Sequence, residues 1–160
     1  MNEQIVKLIE HISEELNELE IIVKHAQEGW IRFQKESDDY YLGSVALDLH
    51  SFYNGLEKIF KLIALDIDKS LPQDSEWHKA LLNQMAMEIP QLRPALISEQ
   101  TNNILDEYLA FRHLIRNIYT HKIIPTKMKR LVDNLQQVFE QIQLELLAFV
   151  KFLEKQVKLL

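Results

Sequence analysis

Four residues separate Arg116 from His121, and Asn117 directly follows the arginine. The stretch from Tyr108 to Val132 contains no Asp or Glu. It carries Arg112, Arg116, Lys122, Lys127, Lys129 and Arg130, together with His113 and His121. Cations gathered in this way can hold phosphates while the rest of an acidic surface repels them. Cations four apart on a helix repel by a few tenths of a kcal/mol. With no acidic residue in the stretch to offset this, the pattern points to a bound anion. The simpler explanation, cations complementing a helix C-terminus, covers His121 and Lys122 better than it covers Arg112 and Arg116.

These residues are positioned by a run of apolar side chains. Ile104, Leu105, Tyr108, Leu109, Phe111, Leu114, Ile115 and Ile118 predict a helix from Ser98, its expected N-cap, to about His121, with Pro125 stopping it. On such a helix His113, Asn117 and His121 share a face, and Arg112 and Arg116 lie on the neighbouring strip. Arg116 and His121 are then expected to converge on one bound group.

Four further helices are expected around this one. Apolar residues from Ile5 to Phe33 recur at three- and four-residue spacing and predict a first helix from about Glu3 to about Lys35. Ser37, Asp38 and Asp39 supply capping groups for a second, from about Tyr40 to about Asp66. A short third helix is read from Glu76 to Met87, between loops marked by Pro72, Pro90 and Pro94. Thr126 caps a long fifth helix to about Lys158. No segment alternates with period two, so the expected fold class is all-α. The expected architecture is an up-and-down antiparallel bundle of four long helices plus a short one. Residues 1–160 are read as a single domain, with no repeat and no linker.

Composition removes several classes of function. The chain has no cysteine, so disulfides, thiolate metal sites and cysteine nucleophiles are excluded. The net charge of −6 argues against a general nucleic-acid coat protein. The N-terminal stretch is acidic and amphipathic, unlike a signal peptide. No run approaches the ~20 apolar residues of a membrane span. A cytoplasmic protein with no membrane association is expected.

The segment from Arg116 to His121 resembles the motif of HEPN ribonucleases, an arginine and a histidine separated by four to six residues. The wider run from Phe111 to Tyr119 is similar to HepT-like toxin domains, and Ser51 to Phe60 looks like their second helix. The resemblance extends over most of the chain. It implies RNA cleavage without metal or other cofactor, at a site formed across a homodimer interface. The ribose 2′-hydroxyl would attack the adjacent phosphate while His121 moves a proton. Arg116 would hold the phosphate and stabilise its growing charge. Asn117 would orient His121 or contact RNA, and Arg112, His113 and Lys122 would add substrate contacts. The resemblance also implies a nucleotidyltransferase-type antitoxin as partner. In the best-known form of the motif a tyrosine, modified by that partner, lies two residues after the histidine. Here that position is Ile123, and Tyr119 is the nearest phenol. Related helical domains resemble the non-catalytic substrate-binding partners of small nucleotidyltransferases, so a nucleotide-binding module is the alternative expectation. A plain helical scaffold is the third.

The remaining polar residues have ordinary readings. His11, His25, His50 and His78 are expected to be surface or interhelical hydrogen-bonding groups. Asp66 and Asp68 are expected to end a helix, and Trp30 and Trp77 to lie in the core or an interface. There is no HExxH pattern, glycine-rich phosphate loop or Gly-x-Ser-x-Gly elbow, and no metal site is expected.

Overall fold

The structure, a computed structural model, describes residues 2–118 and 120–159, with the side chains of Thr120 and Leu159 left aside. Five α-helices follow one another: α1 (Asn2–Glu36), α2 (Asp39–Ile63), α3 (Trp77–Met85), α4 (Glu99–Arg116) and α5 (Pro125–Leu159). A π-helical turn (Ala64–Asp68) extends α2, and a 3-10 turn (Thr120–Lys122) precedes α5. The described residues form no strand, only one isolated bridge between Ile89 and Arg93. The all-α expectation is met.

The contacts fix the directions of the helices. Along α1 and α2 the pairs are His25 with Asp48, Glu15 with Lys58 and Gln4 with Asp66, stepping in opposite senses. Along α4 and α5 they are Thr101 with Glu145 and Tyr108 with Leu131, again opposed. The order is up, down, up, down, with α3 inserted between α2 and α4.

Each helix buries one stripe in a shared core. Leu8, Ile12 and Leu19 of α1, Phe52, Leu56, Ile59 and Phe60 of α2, Leu105 of α4, and Leu135, Ile142 and Leu146 of α5 are almost entirely removed from water. Burial of this kind, at ~25 cal/mol per Å² of apolar surface, drives the bundle together. Helices α1 and α2 pack closely because both carry a glycine at the seam. A Cβ on Gly55 would lie 2.6 Å from Leu19 Cδ2, and one on Gly29 would lie 2.9 Å from Val45 Cγ2.

The helix ends are stopped by specific groups. Ser37, in the left-handed region at φ 52, turns the chain out of α1. Asp38 then caps α2, its carboxylate accepting from Tyr40 N at 3.0 Å. Ser98 caps α4 by accepting from Thr101 N at 3.1 Å. Glu145 of α5 reinforces that cap, accepting from Ser98 N at 2.5 Å and from Thr101 Oγ1 at 2.6 Å.

Two expectations are corrected. Helix α4 ends at Arg116 and not near His121. Asn117 leaves helical geometry, and its Nδ2 donates back to the His113 carbonyl at 2.8 Å, covering an orphan acceptor of the last turn. Pro125 does not stop α4 but opens α5, where its missing N–H costs nothing and its fixed φ suits the first turn.

Asp68, read from sequence as a helix terminator, has a larger role. It pairs with Arg93, and the two side chains are 1% and 0% exposed. Arg93 Nη2 donates to Asp68 Oδ2 at 2.8 Å and to the Gln84 carbonyl at 3.2 Å, while Nη1 donates to the carbonyls of Met87 and Pro94. A buried charge pair is tolerable only when its remaining donors are met in this way. The pair ties the turn after α2 to the loop after α3.

Candidate functional site

The site is built from a polar line on α2. His50, Asn54, Glu57, Lys58 and Lys61 recur at three- and four-residue spacing along an otherwise apolar helix, so they share one face. Helices α3 and α4 close over that face. Asn54, Glu57, Lys58, Lys61, Trp77, His78, Arg112 and Arg116 line an open hollow of about 470 Å³. It holds four cations against a single carboxylate.

Arg112 is 7% exposed, and its Nε donates to Asn54 Oδ1 at 2.6 Å. Because a guanidinium only donates, this bond fixes which way the Asn54 amide faces. Asn54 Nδ2 therefore donates to His50 Nδ1 at 3.1 Å, and His50 accepts as a neutral ring. The His50 imidazole is held below its ordinary pKa by burial first, then by the charges of Arg112 and Arg116. Arg112 Nη1 is buried and has no acceptor. A buried donor left in this state costs roughly 1–3 kcal/mol.

Glu57 is also buried, and its carboxylate meets His78 Nδ1 at 2.7 Å. That contact occupies one ring nitrogen and orients the other, Nε2, away from the carboxylate. Trp77 stacks on His78 with ring centroids 3.6 Å apart, and Lys61 Nζ lies 4.3 Å from the Trp77 centroid. The His113 ring stands edge-on to His78 at 5.5 Å. His113 is exposed but still titrates below its ordinary value, through burial first, then His78, Arg112 and Arg116. Helix α3 is tied to α4 at two points, since Lys79 pairs with Asp106 at 2.9 Å and Asn102 donates to Asn83 at 3.1 Å.

The sequence-derived candidates fall into separate places. Arg112 and Arg116 share the cationic hollow, with His113 at its edge. His121 lines a different hollow, of about 810 Å³, with Glu36, Ser37, Asp38, Asp39, Tyr40 and Gly43. Its surroundings are acidic. The common helical face expected for His113, Asn117 and His121 does not exist, because α4 ends before Asn117 and His121 belongs to the 3-10 turn. Asn117 uses its amide as the α4 cap. Lys122 lines a small cleft of about 100 Å³ with Phe111, Leu114, Ile115 and Ile123 among others. Tyr119 lies outside the described residues. The basic stretch is not acid-free in space either. Glu57 enters the hollow from α2, Glu107 pairs with Arg130 at 3.3 Å, and Asp133 pairs with Lys129 at 2.6 Å.

A family model described as HepT-like protein matches residues 44–153. The chain belongs to the HepT-like family. No curated protein and no solved structure matches it. The match runs from Ser44 of α2 to near the end of α5, so the cationic hollow of this HepT-like, HEPN-type domain falls within it, whereas of the residues lining the second hollow only His121 does. Among the described residues of the HepT-like chain, no three His, Asp or Glu side chains are grouped to hold a metal ion. No helix among them is long and apolar enough to cross a membrane.

Asn54, Glu57, Lys61 and His78 were not singled out as site residues from sequence. For α2 a signal existed: the polar spacing from His50 to Lys61 interrupts an apolar helix. For His78 there was none, because its partner lies 21 positions away.

Proposed function

We propose that the protein is a metal-independent endoribonuclease, the toxin half of a prokaryotic toxin–antitoxin pair, with Arg116 and His121 as its reacting groups. Membership of the HepT-like family supports this reading. The observation that carries it is Arg116 itself: exposed at the end of α4, without an ion-pair partner among the described residues, beside a second arginine that Asn54 holds in place. In this mechanism the RNA supplies its own nucleophile. The 2′-hydroxyl loses its proton to an imidazole and attacks the neighbouring phosphorus, and the 5′-oxygen leaves with a proton returned to it. Arg116 neutralises charge that grows on the phosphate oxygens. A cytoplasmic homodimer is part of the proposal, with Arg116 of one copy and His121 of the other facing a shared cleft. A nucleotidyltransferase-type antitoxin is the proposed partner.

The test is digestion of RNA by purified protein in the presence of chelator. Activity in the wild type that is lost in both Arg116→Ala and His121→Ala is the expected result. Equal activity in all three proteins removes these residues from the mechanism.

A second reading is favoured by one specific observation. Within one chain Arg116 lines its hollow with Asn54, Glu57 and His78, and His121 lines another. In that reading the domain binds a nucleotide for a small nucleotidyltransferase and cuts nothing. RNA then remains intact, and co-purification recovers the nucleotidyltransferase.

A further inference from the structure

We propose that the hollow between α2, α3 and α4 is a phosphate-ester site, with Arg112 and Arg116 taking two phosphate oxygens and Glu57-held His78, in its doubly protonated form, donating from Nε2 to a third. The inference rests on the reading that this protein binds nucleotide or RNA phosphate. It does not depend on cleavage.

Three independent features converge there. The first is an unmet donor. Arg112 is more than nine-tenths buried, its Nε is spent on Asn54, and its buried Nη1 meets no protein acceptor among the described residues. Arg93 provides the contrast: it is equally buried and has carboxylate or carbonyl acceptors on all three nitrogens. The fold therefore can satisfy a buried arginine with its own groups, and at Arg112 it does so only at Nε. A bound oxyanion supplies the missing acceptors, and a planar guanidinium suits them in pairs.

The second feature is charge. Lys61, Arg112 and Arg116 outnumber the one carboxylate that lines the hollow, Glu57, while the fourth cation, Lys58, is paired with Glu15 at 3.7 Å. That carboxylate is already engaged with His78 at 2.7 Å. The field reaches the neighbouring imidazoles, since Arg112 and Arg116 both help hold His50 and His113 below their ordinary titration range.

The third feature is the orientation of His78. Glu57 holds Nδ1, the Trp77 ring stacks on one face of the imidazole, and His113 approaches edge-on. A ring fixed on three sides presents Nε2 in one direction, with little rotamer freedom left to lose on binding. Once protonated on both nitrogens, the ring so fixed is a positioned donor that lines the hollow with two guanidinium groups.

Binding can be read without any assay of cleavage. The imidazole nitrogens of His78, His50 and His113 are followed by NMR near neutral pH in three separate titrations, with inorganic phosphate, with adenosine 5′-monophosphate and with a short oligoribonucleotide. A saturable shift of His78, accompanied by upward movement of the His50 and His113 titrations, is expected for at least one probe. Response to the mononucleotide alone assigns the source as a free nucleotide. A tighter response to the oligonucleotide assigns it as RNA. Arg116→Gln, at an exposed position, is expected to weaken binding about tenfold. Arg112→Lys keeps the charge but loses the fork, and a weakening in the same direction is expected. If none of the three probes shifts His78 at millimolar concentration, or if both variants bind as tightly as the wild type, the site is overturned. RNA cleavage that persists alongside such a result leaves the nuclease reading standing. Phosphate binding without cleavage leaves the site standing and removes the nuclease.

Discussion

Glu57 of α2 and His78 of α3 meet at 2.7 Å, with the histidine side chain 14% exposed and the carboxylate 6% exposed. Each covers the other's polar group, so removing one strands the other. His78→Ala leaves a buried carboxylate uncompensated and should cost about 3 kcal/mol. Glu57→Gln keeps an acceptor for His78 Nδ1 and should cost distinctly less. Urea unfolding of the two variants gives the comparison, and equal losses would contradict the assignment.

The pair Asp68 and Arg93 makes a stronger demand, because neither side chain touches water. Asp68→Asn should destabilise the fold by about 3–5 kcal/mol, as removal of one partner from a buried pair does. The loss should be visible as a large drop in the denaturation midpoint. Substituting both residues by apolar ones of similar volume should recover part of it.

Glu145 holds the start of α4 from a different helix. Glu145→Ala removes acceptors from Ser98 N and Thr101 Oγ1 and should cost about 1–2 kcal/mol. Amide exchange of the first turn of α4 should accelerate in that variant more than exchange in the middle of α2.

The histidines around Arg112 give a pH dependence with a definite sign. His50 and His113 both titrate below the ordinary value of 6.5, chiefly through burial. Between the folded and unfolded values the unfolded chain binds more protons, so stability should fall as pH drops through about 6.5 and stop falling below the folded values. Arg116→Gln removes one of the contributing charges. Both titrations should then move partway back up, as followed by imidazole NMR.

Much of the fold could be read from the sequence because its causes are local. The stripes of α1 and α5, the caps at Asp38 and Ser98, and the interruptions at the prolines all act within a few residues. The end of α4 was misread because Leu114, Ile115 and Ile118 continue the apolar spacing past the point where Asn117 folds its amide onto His113. An asparagine after a cationic last turn was the signal for a stop. The core of the site was legible only in part. Arg112 and Arg116 declare themselves by charge, whereas Glu57 and His78 acquire their meaning from each other across an interface. Asp68 and Arg93 are the same case, 25 positions apart.

The break after Arg116 puts Arg116 and His121 in two differently shaped pieces of chain. On an unbroken helix, adding one residue between them would swing the imidazole by about 100°. Here no single screw pitch couples the two. The distance from guanidinium to imidazole is thus governed by how the chain folds back after α4, not by counting.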